Sequence, residues 1–246
     1  MNVLWIAAAL LAAYLIGSLS FAVIVSRSLG LADPRSYGSK NPGATNVLRS
    51  GSKTAAALTL VFDALKGFIP TALVNHYSFE LGFHEISSAD TLVAFVGFSA
   101  FLGHLWPVFF RFQGGKGVAT AAGVLVAINP WLGLATVLSW AIIAAFFRYS
   151  SLASIIAAVF APFYQALIWG PEPALLAIAL MSLLLIWRHE GNIKKLLAGT
   201  ESKLGQKPEH TAGVAVPLPA FKHHPKPHPK PHPKPHSKHH SKHGHH

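Results

Sequence analysis

G-V-A-T-A-A-G-V-L-V-A-I-N-P-W-L-G-L-A-T-V-L-S-W-A-I-I-A-A-F-F, residues 117–147, decides the fold. At about 1.5 Å per helical residue it is too long for one crossing of a hydrocarbon core about 30 Å thick, and Asn129-Pro130 interrupts it. It is either one kinked span or two short ones. Apolar runs of spanning length lie on both sides: Val3 to Val25, Thr54 to Val74, Thr91 to Phe110, Leu152 to Trp169 and Pro173 to Trp187. The first has no basic residue ahead of it and exceeds the roughly 7–15 apolar residues of a signal-peptide core, so it reads as a retained span. If residues 117–147 cross twice, there are seven spans. Every Lys or Arg outside the apolar runs then falls on one side: Arg27, Arg35, Lys40, Arg49, Lys53, Arg111, Lys116, Arg148, and Arg188 with all that follow. The other side carries Glu80, Glu85, Asp90 and Glu172 and no cation. One kinked span would send Arg148 and the basic C-terminal region across the membrane. The positive-inside rule therefore favours seven spans, with the N-terminus outside and the C-terminus in the cytoplasm.

The expected fold is thus an all-α polytopic membrane protein with short, partly buried cytoplasmic loops. Residues 1–205 form the membrane domain and residues 206–246 a disordered cytoplasmic tail. Composition agrees, since 52% of the 246 residues are hydrophobic and 12% charged, which argues against a soluble enzyme. The net charge of +11 is not a nucleic-acid signature, because six of the 20 Lys plus Arg and ten of the 15 His lie in residues 221–246. No cysteine is present, which excludes disulfides, thiolate nucleophiles and Cys-ligated metals. Val118 to Ile128, 11 residues, reaches only about 16 Å as a helix. The preceding loop, Gln113 to Gly117, therefore dips below the cytoplasmic surface, where irregular backbone survives only buried in protein or lining a wet cavity.

Three polar stretches face that side. The first, Ser36 to Lys53, holds Ser39, Lys40, Asn41, Thr45, Asn46, Arg49, Ser52 and Lys53 among three glycines. A guanidinium fork, ammonium groups, hydroxyls and amides suit a phosphate, though basic loops at headgroups are also the rule. The second runs from Gly103 and His104 to Gly114-Gly115-Lys116-Gly117. It lacks the spacing of a nucleotide P-loop, but glycine N–H groups beside a Lys at a helix start make an anion hole; the plain alternative is a flexible turn with a snorkelling Lys. His104 is either part of the site or a neutral histidine bonding a carbonyl. The third is Arg188, His189, Glu190, Gly191, Asn192, Lys194 and Lys195, where a continuing helix would set His189 and Asn192 on one face. Arg148, Ser150, Ser151 and Ser154 stand at the mouth between two other spans. Within the second span Asp63 and Lys66 are i, i+3 neighbours near mid-depth, and the expectation is an ion pair bracing the bundle. No H-x-x-x-x-D pair or G-x-S-x-G elbow occurs, and cytoplasmic carboxylates are too few for a two-metal site. Chemistry here rests on cations, hydroxyls, amides and one or two histidines.

The strings G-S-K-N-P-G-A-T-N-V-L-R (38–49), D-A-L-K-G (63–67), G-H-L-W-P-V-F-F-R-F-Q-G-G-K-G-V-A-T (103–120) and R-H-E-G-N-I-K-K-L-L-A-G-T-E (188–201) closely resemble the bacterial acyl-phosphate:glycerol-3-phosphate acyltransferase family. The likeness covers about residues 3–205. It implies a multi-pass enzyme of the bacterial inner membrane, with its site facing the cytoplasm. Such an enzyme moves a fatty acyl group from acyl phosphate to the 1-hydroxyl of glycerol 3-phosphate and releases lysophosphatidate and phosphate, the first step of phospholipid synthesis. By motif position Ser39, Arg49, Lys116 and His189 carry the chemistry. Asn41, Asn46, Gly114, Gly115, Gly117, Asn192 and His104 bind substrate, with Arg148, Ser150 and Ser154 from a less diagnostic stretch. No cofactor and no metal is implied, and no nucleic acid. The partners are glycerol 3-phosphate, acyl phosphate, membrane lipid and, as a candidate, the soluble enzyme that makes acyl phosphate. The competing class is a transporter of a phosphorylated anion, but no inverted repeat is evident and the polar motifs gather on one face.

From Phe221 a Lys recurs every four residues through Lys242, with Pro and His between. Such K-P-H-P units favour extended polyproline II, bind divalent metal ions weakly through neutral imidazoles, and favour anionic lipid.

Overall fold

The computed structural model describes residues 3–78 and 86–206. Glu80, Glu85 and the Lys/Pro/His-rich tail lie outside the described residues, as do the expectations made for them. Among the described residues the regular structure is helical: α1 Val3–Gly17, α2 Phe21–Ser28, α3 Ala44–Val47, α4 Lys53–Tyr77, α5 Ile86–Leu105, α6 Val118–Ile128, α7 Pro130–Phe147, α8 Ser150–Ile168, α9 Pro173–Arg188 and α10 Glu190–Leu197. Four stretches are long and apolar enough to cross a bilayer: Lys53–Tyr77, Asp90–Phe110, Pro130–Phe147 and Ser150–Ile168. The bent pairs α1 with α2 (43°) and α9 with α10 (56°) raise the number to six if each is one span.

The Asn129-Pro130 break is real and has a local cause. Asn129 is extended, and its side-chain oxygen accepts from the N–H groups of Trp131 and Leu132 at 2.9 and 3.3 Å. Pro130 then opens α7 at a position that needs no donor. Residues 117–147 are therefore two helices. The second polar motif ends where α6 starts, at Gly117, whose φ of +84° is a glycine conformation and whose added Cβ would meet the Phe101 ring at 2.2 Å.

Small residues let the helices close up without a solvent-driven hydrophobic effect between them. α4 and α6 meet through a reciprocal pair: a Cβ on Gly67 would lie 2.3 Å from Thr120 O, and one on Gly123 would lie 2.0 Å from Ala64 O. Large apolar groups face outward, such as Phe146 at 81% exposure, as lipid contact requires. The buried Asp63–Lys66 ion pair forms as expected, at 2.7 Å. Lys66 Nζ also donates to Leu19 O at 2.7 Å, tying the break between α1 and α2 to α4.

Candidate active site

One end of the bundle holds a cavity of about 620 Å³, within the range of small-molecule sites. Its mouth is polar and its depth apolar. Ser39, Asn41, Thr45, Asn46, Arg49 and Lys53 come from the first loop, Lys116 and Gly117 from the glycine motif, and His189 and Asn192 from the turn after α9. Ser150, Ser151 and Ser154 enter from the first turns of α8, and His104 and Asp63 from the inner wall. Leu125, Val137, Trp140, Ala158, Ala161, Ile178 and Met181 line the interior.

The first loop is shaped by Asn46. Its Oδ1 accepts from the Ser39 N–H at 3.0 Å, and its Nδ2 donates to Pro34 O at 2.6 Å and Tyr37 O at 3.3 Å. Asn46 thus buckles the loop with both ends of its amide and presents Ser39, while Arg49 donates to Ser202 Oγ at 3.2 Å. Thr45 Oγ1 and Ser150 Oγ are 3.3 Å apart, linking the loop to α8.

Gly114 and Gly115 do a different job from the one their motif suggests. They pack behind the wall, where a Cβ on Gly114 would meet His104 O at 2.2 Å and one on Gly115 would meet His104 Nε2 at 2.2 Å. The Gly115 N–H donates to His104 O at 3.1 Å, so that amide is already committed. Arg188 clamps the loop from the other side, donating to Gly114 O at 2.9 Å and to Gly115 O at 3.0 and 3.1 Å. The result is a fixed Lys116. Its Nζ donates to Asn192 Oδ1, Asn192 Nδ2 donates to Glu201 Oε1 at 2.6 Å, and Ser151 Oγ donates to the same carboxylate oxygen at 2.7 Å. Burial, with Arg188, Lys195 and Arg49 nearby, outweighs the attraction of Glu201 and lowers the Lys116 ammonium to about 8.

His189 does not sit on a continuing helix. α9 ends at Arg188 and α10 restarts at Glu190 at 56°, yet His189 and Asn192 reach the same cavity. The bend frees the His189 ring to donate from Nδ1 to Leu185 O at 2.8 Å, which leaves Nε2 as the nitrogen with the open lone pair. Burial first, and Lys116 next, lower this imidazole to about 4, so it is neutral at physiological pH. His104 bonds a side chain rather than a carbonyl: Thr120 Oγ1 gives its proton to Asp63 O at 2.9 Å, so His104 Nδ1 donates to Thr120 Oγ1 at 3.1 Å.

Arg148 stands outside the cavity wall. It donates to Leu204 O at 3.0 Å and its carbonyl accepts from the Leu204 N–H at 2.6 Å, which holds residues 200–206 across the mouth. Glu201 is the participant that motif reading passed over, although it closes the string quoted for the resemblance. The available signal was its being the first carboxylate after Asn192 in a basic stretch. Among the described residues no group of three or more His, Cys, Asp or Glu gathers that would hold a metal ion.

Residues 7–199 match the glycerol-3-phosphate acyltransferase family. A glycerol-3-phosphate acyltransferase of Janthinobacterium sp. (strain Marseille) is 64% identical over 197 residues, covering 80% of this chain and 96% of that protein. One from Herminiimonas arsenicoxydans is 62% identical over 195 residues, covering 79% and 93%. In three dimensions the chain is similar to the crystal structure of PlsY, an integral membrane glycerol 3-phosphate acyltransferase, in its glycerol 3-phosphate form. The TM-score is 0.73 at 38% identity, with 81% of this chain and 96% of that one covered. The lysophosphatidic acid form of the same enzyme matches with a TM-score of 0.71 at 37% identity, covering 80% and 94%.

Proposed function

Because the chain belongs to the glycerol-3-phosphate acyltransferase family, we propose that it transfers a fatty acyl group from acyl phosphate to the 1-hydroxyl of sn-glycerol 3-phosphate at the cytoplasmic face of a bacterial inner membrane. The products are lysophosphatidate and inorganic phosphate. One observation carries this reading: a single cavity joins a cationic mouth, with Arg49, Lys53 and Lys116, to an interior lined by apolar side chains, as an acyl chain requires. The donor and acceptor both bear phosphate, and the mouth holds cations for both.

The chain crosses the membrane seven times in this proposal. The bent α1–α2 pair, α9 and the four long helices supply six crossings and the 11-residue α6 the seventh, short one, with the N-terminus outside and α10 on the cytoplasmic side. Absence of cysteine gives a clean test. In spheroplasts a membrane-impermeant maleimide is expected to label the variant Glu172→Cys and leave Lys195→Cys unlabelled until the membrane is broken. The reverse pattern sinks this topology.

Acyl phosphate is a mixed anhydride with a good leaving group, so positioning and charge stabilisation supply most of the rate. The acceptor hydroxyl oxygen attacks the acyl carbonyl carbon, the bond from that carbon to the phosphate oxygen breaks, and the departing phosphate keeps the electron pair. The hydroxyl proton passes to a phosphate oxygen. A phosphate monoester, with its second pKa near about 6, is a stronger base than an imidazole lowered to about 4. His189 then holds the hydroxyl through Nε2 and orients it. His189→Ala is expected to lower turnover about 10-fold to 10²-fold, within what a lost orienting bond costs. The acid limb of its pH profile stays in place, because His189 is deprotonated throughout that range. A shifted acid limb would make His189 the base.

Lys116 must be charged to hold phosphate, and in the free enzyme its ammonium sits at about 8. Raising pH through 8 removes that charge, so kcat/KM for glycerol 3-phosphate is expected to fall tenfold per unit above pH 8, the slope of a single essential proton. Lys116→Arg should keep some activity and lose this break. A wild-type profile flat to pH 9.5 would remove Lys116 from phosphate binding.

The assay that tests the proposal uses purified protein in detergent with glycerol 3-phosphate and palmitoyl phosphate, against palmitoyl thioesters as donor. Equal amounts of lysophosphatidate and phosphate from the acyl phosphate support it. Product from thioester alone overturns the donor, and uptake into vesicles without product would favour a transporter.

A further inference from the structure

At the opposite ends of the same helices lies a second, smaller cavity of about 150 Å³ that the acyl-transfer chemistry does not use. Five elements meet there. α4 brings Asn75, α5 Asp90, the α6–α7 junction Asn129, α8 Gln165 and the residue ahead of α9 Glu172. Two carboxylates share this space, and no Lys or Arg lines it. Like charges in a common cavity repel, and the walls supply no counter-charge.

Gln165 is the independent sign of a ligand. The residue is 5% exposed, it lines the cavity, and its side-chain amide has no hydrogen-bond partner among the described residues. A buried primary amide is ordinarily satisfied, so this one points to something that occupies the cavity. The neighbouring amides show which polarity is left over. Asn75 Nδ2 donates to Ala127 O at 3.0 Å, leaving Asn75 Oδ1 open. Asn129 spends its oxygen on the α7 cap. The oxygens among the lining residues left for a ligand are the two carboxylates, Asn75 Oδ1 and Gln165 Oε1, while the amide N–H groups of Gln165 and Asn129 remain to donate to a carboxylate or to a ligand's water. Those oxygens suit a hard cation, with no sulfur or imidazole for a softer metal. A liquid water takes about 30 Å³, so the cavity takes one cation with several of its waters.

We propose that Asp90, Glu172, Asn75 and Gln165 bind one divalent cation of the calcium type at the end of the bundle opposite the acyl-transfer cavity, where it ties α4, α5, α8 and α9 together. Two carboxylates with neutral oxygens and water make a weak site, with Kd about 10⁻⁴–10⁻³ M, as in extracellular calcium modules. Calcium is the right probe because the imidazole-rich tail favours transition metals instead.

The test is equilibrium dialysis of the full-length protein in detergent against radiolabelled calcium, with thermal unfolding in parallel. One calcium per chain is expected, and 10 mM calcium should raise Tm by about 3–10 °C. Glu172→Gln and Asp90→Asn should each weaken binding at least tenfold and abolish the Tm shift while acyl transfer, measured as the folding control, is unchanged. Gln165→Glu adds a third carboxylate and should tighten binding about tenfold, a change of the opposite sign that misfolding cannot produce. Calcium binding that is absent in the wild type, or that none of these substitutions alters, overturns the proposal.

Discussion

Lys116→Met is expected to lower kcat/KM by about 10²–10³-fold while the protein keeps or gains thermal stability. The two halves of this result have one physical origin. Lys116 is a half-buried cation whose ammonium burial has already lowered to about 8, so the fold carries it at a cost. Methionine fills a similar volume without that cost. What it cannot do is hold a phosphate or stabilise the negative charge that collects on the departing group. Removing one such donor in a preorganised site typically costs 10²–10³-fold. The loss should appear in KM for glycerol 3-phosphate as well as in kcat if Lys116 holds the acceptor phosphate, and in kcat alone if it acts on the leaving phosphate. A parallel fall in Tm and activity would instead make Lys116 a structural residue, acting through its bond to Asn192.

Asp63→Ala has the largest expected effect on stability. The Asp63 and Lys66 side chains are 4% and 2% exposed and 2.7 Å apart. Deleting one partner leaves the other charge buried with only Leu19 O to receive it. Breaking a buried pair in this way costs about 3–5 kcal/mol, and at roughly 2–4 °C per kcal/mol for a chain of this size Tm should fall by about 10 °C. Replacing both residues with apolar ones of similar volume, Asp63→Leu with Lys66→Met, should recover most of the loss. A double variant as unstable as the single one would mean that the carboxylate's contacts with His104, 3.7 Å away, matter more than the pair.

Asp63 and Lys66 were legible from sequence because two opposite charges one helical turn apart inside an apolar run have few other solutions. The break at Asn129-Pro130 was legible because the apolar run is too long for one crossing, although the sequence left open a kink or two helices until the Asn129 cap and Pro130 showed a helix start. The convergence of Ser39, Arg49, Lys116, His189 and Asn192 on one cavity followed from sidedness. Other features were not legible because they depend on tertiary contact. The i, i+3 spacing of His189 and Asn192 suggested a straight helix, and nothing local in R-H-E-G marks a bend of 56°. Gly114 and Gly115 read as ligand-facing glycines, yet steric contact with His104 fills their vacant Cβ positions. Asn46 looked like a ligand amide and instead spends its hydrogen bonds on the loop. Arg148 looked like a fourth mouth cation and ties down Leu204. Asn46 and Arg148 are polar residues at the right place along the chain that were claimed by backbone groups only the packed fold brings near.

The direct-attack account is tested most sharply by a single-turnover experiment. Enzyme in excess is mixed with palmitoyl phosphate labelled in the acyl chain, with glycerol 3-phosphate added or withheld, and protein is quenched and separated at successive times. With acceptor, label should pass from donor to lysophosphatidate with equimolar phosphate release and none on the protein at any time; without acceptor, the donor should stay intact. Label that appears on the protein before product, or a burst of phosphate in the absence of glycerol 3-phosphate, would contradict direct transfer within the cavity.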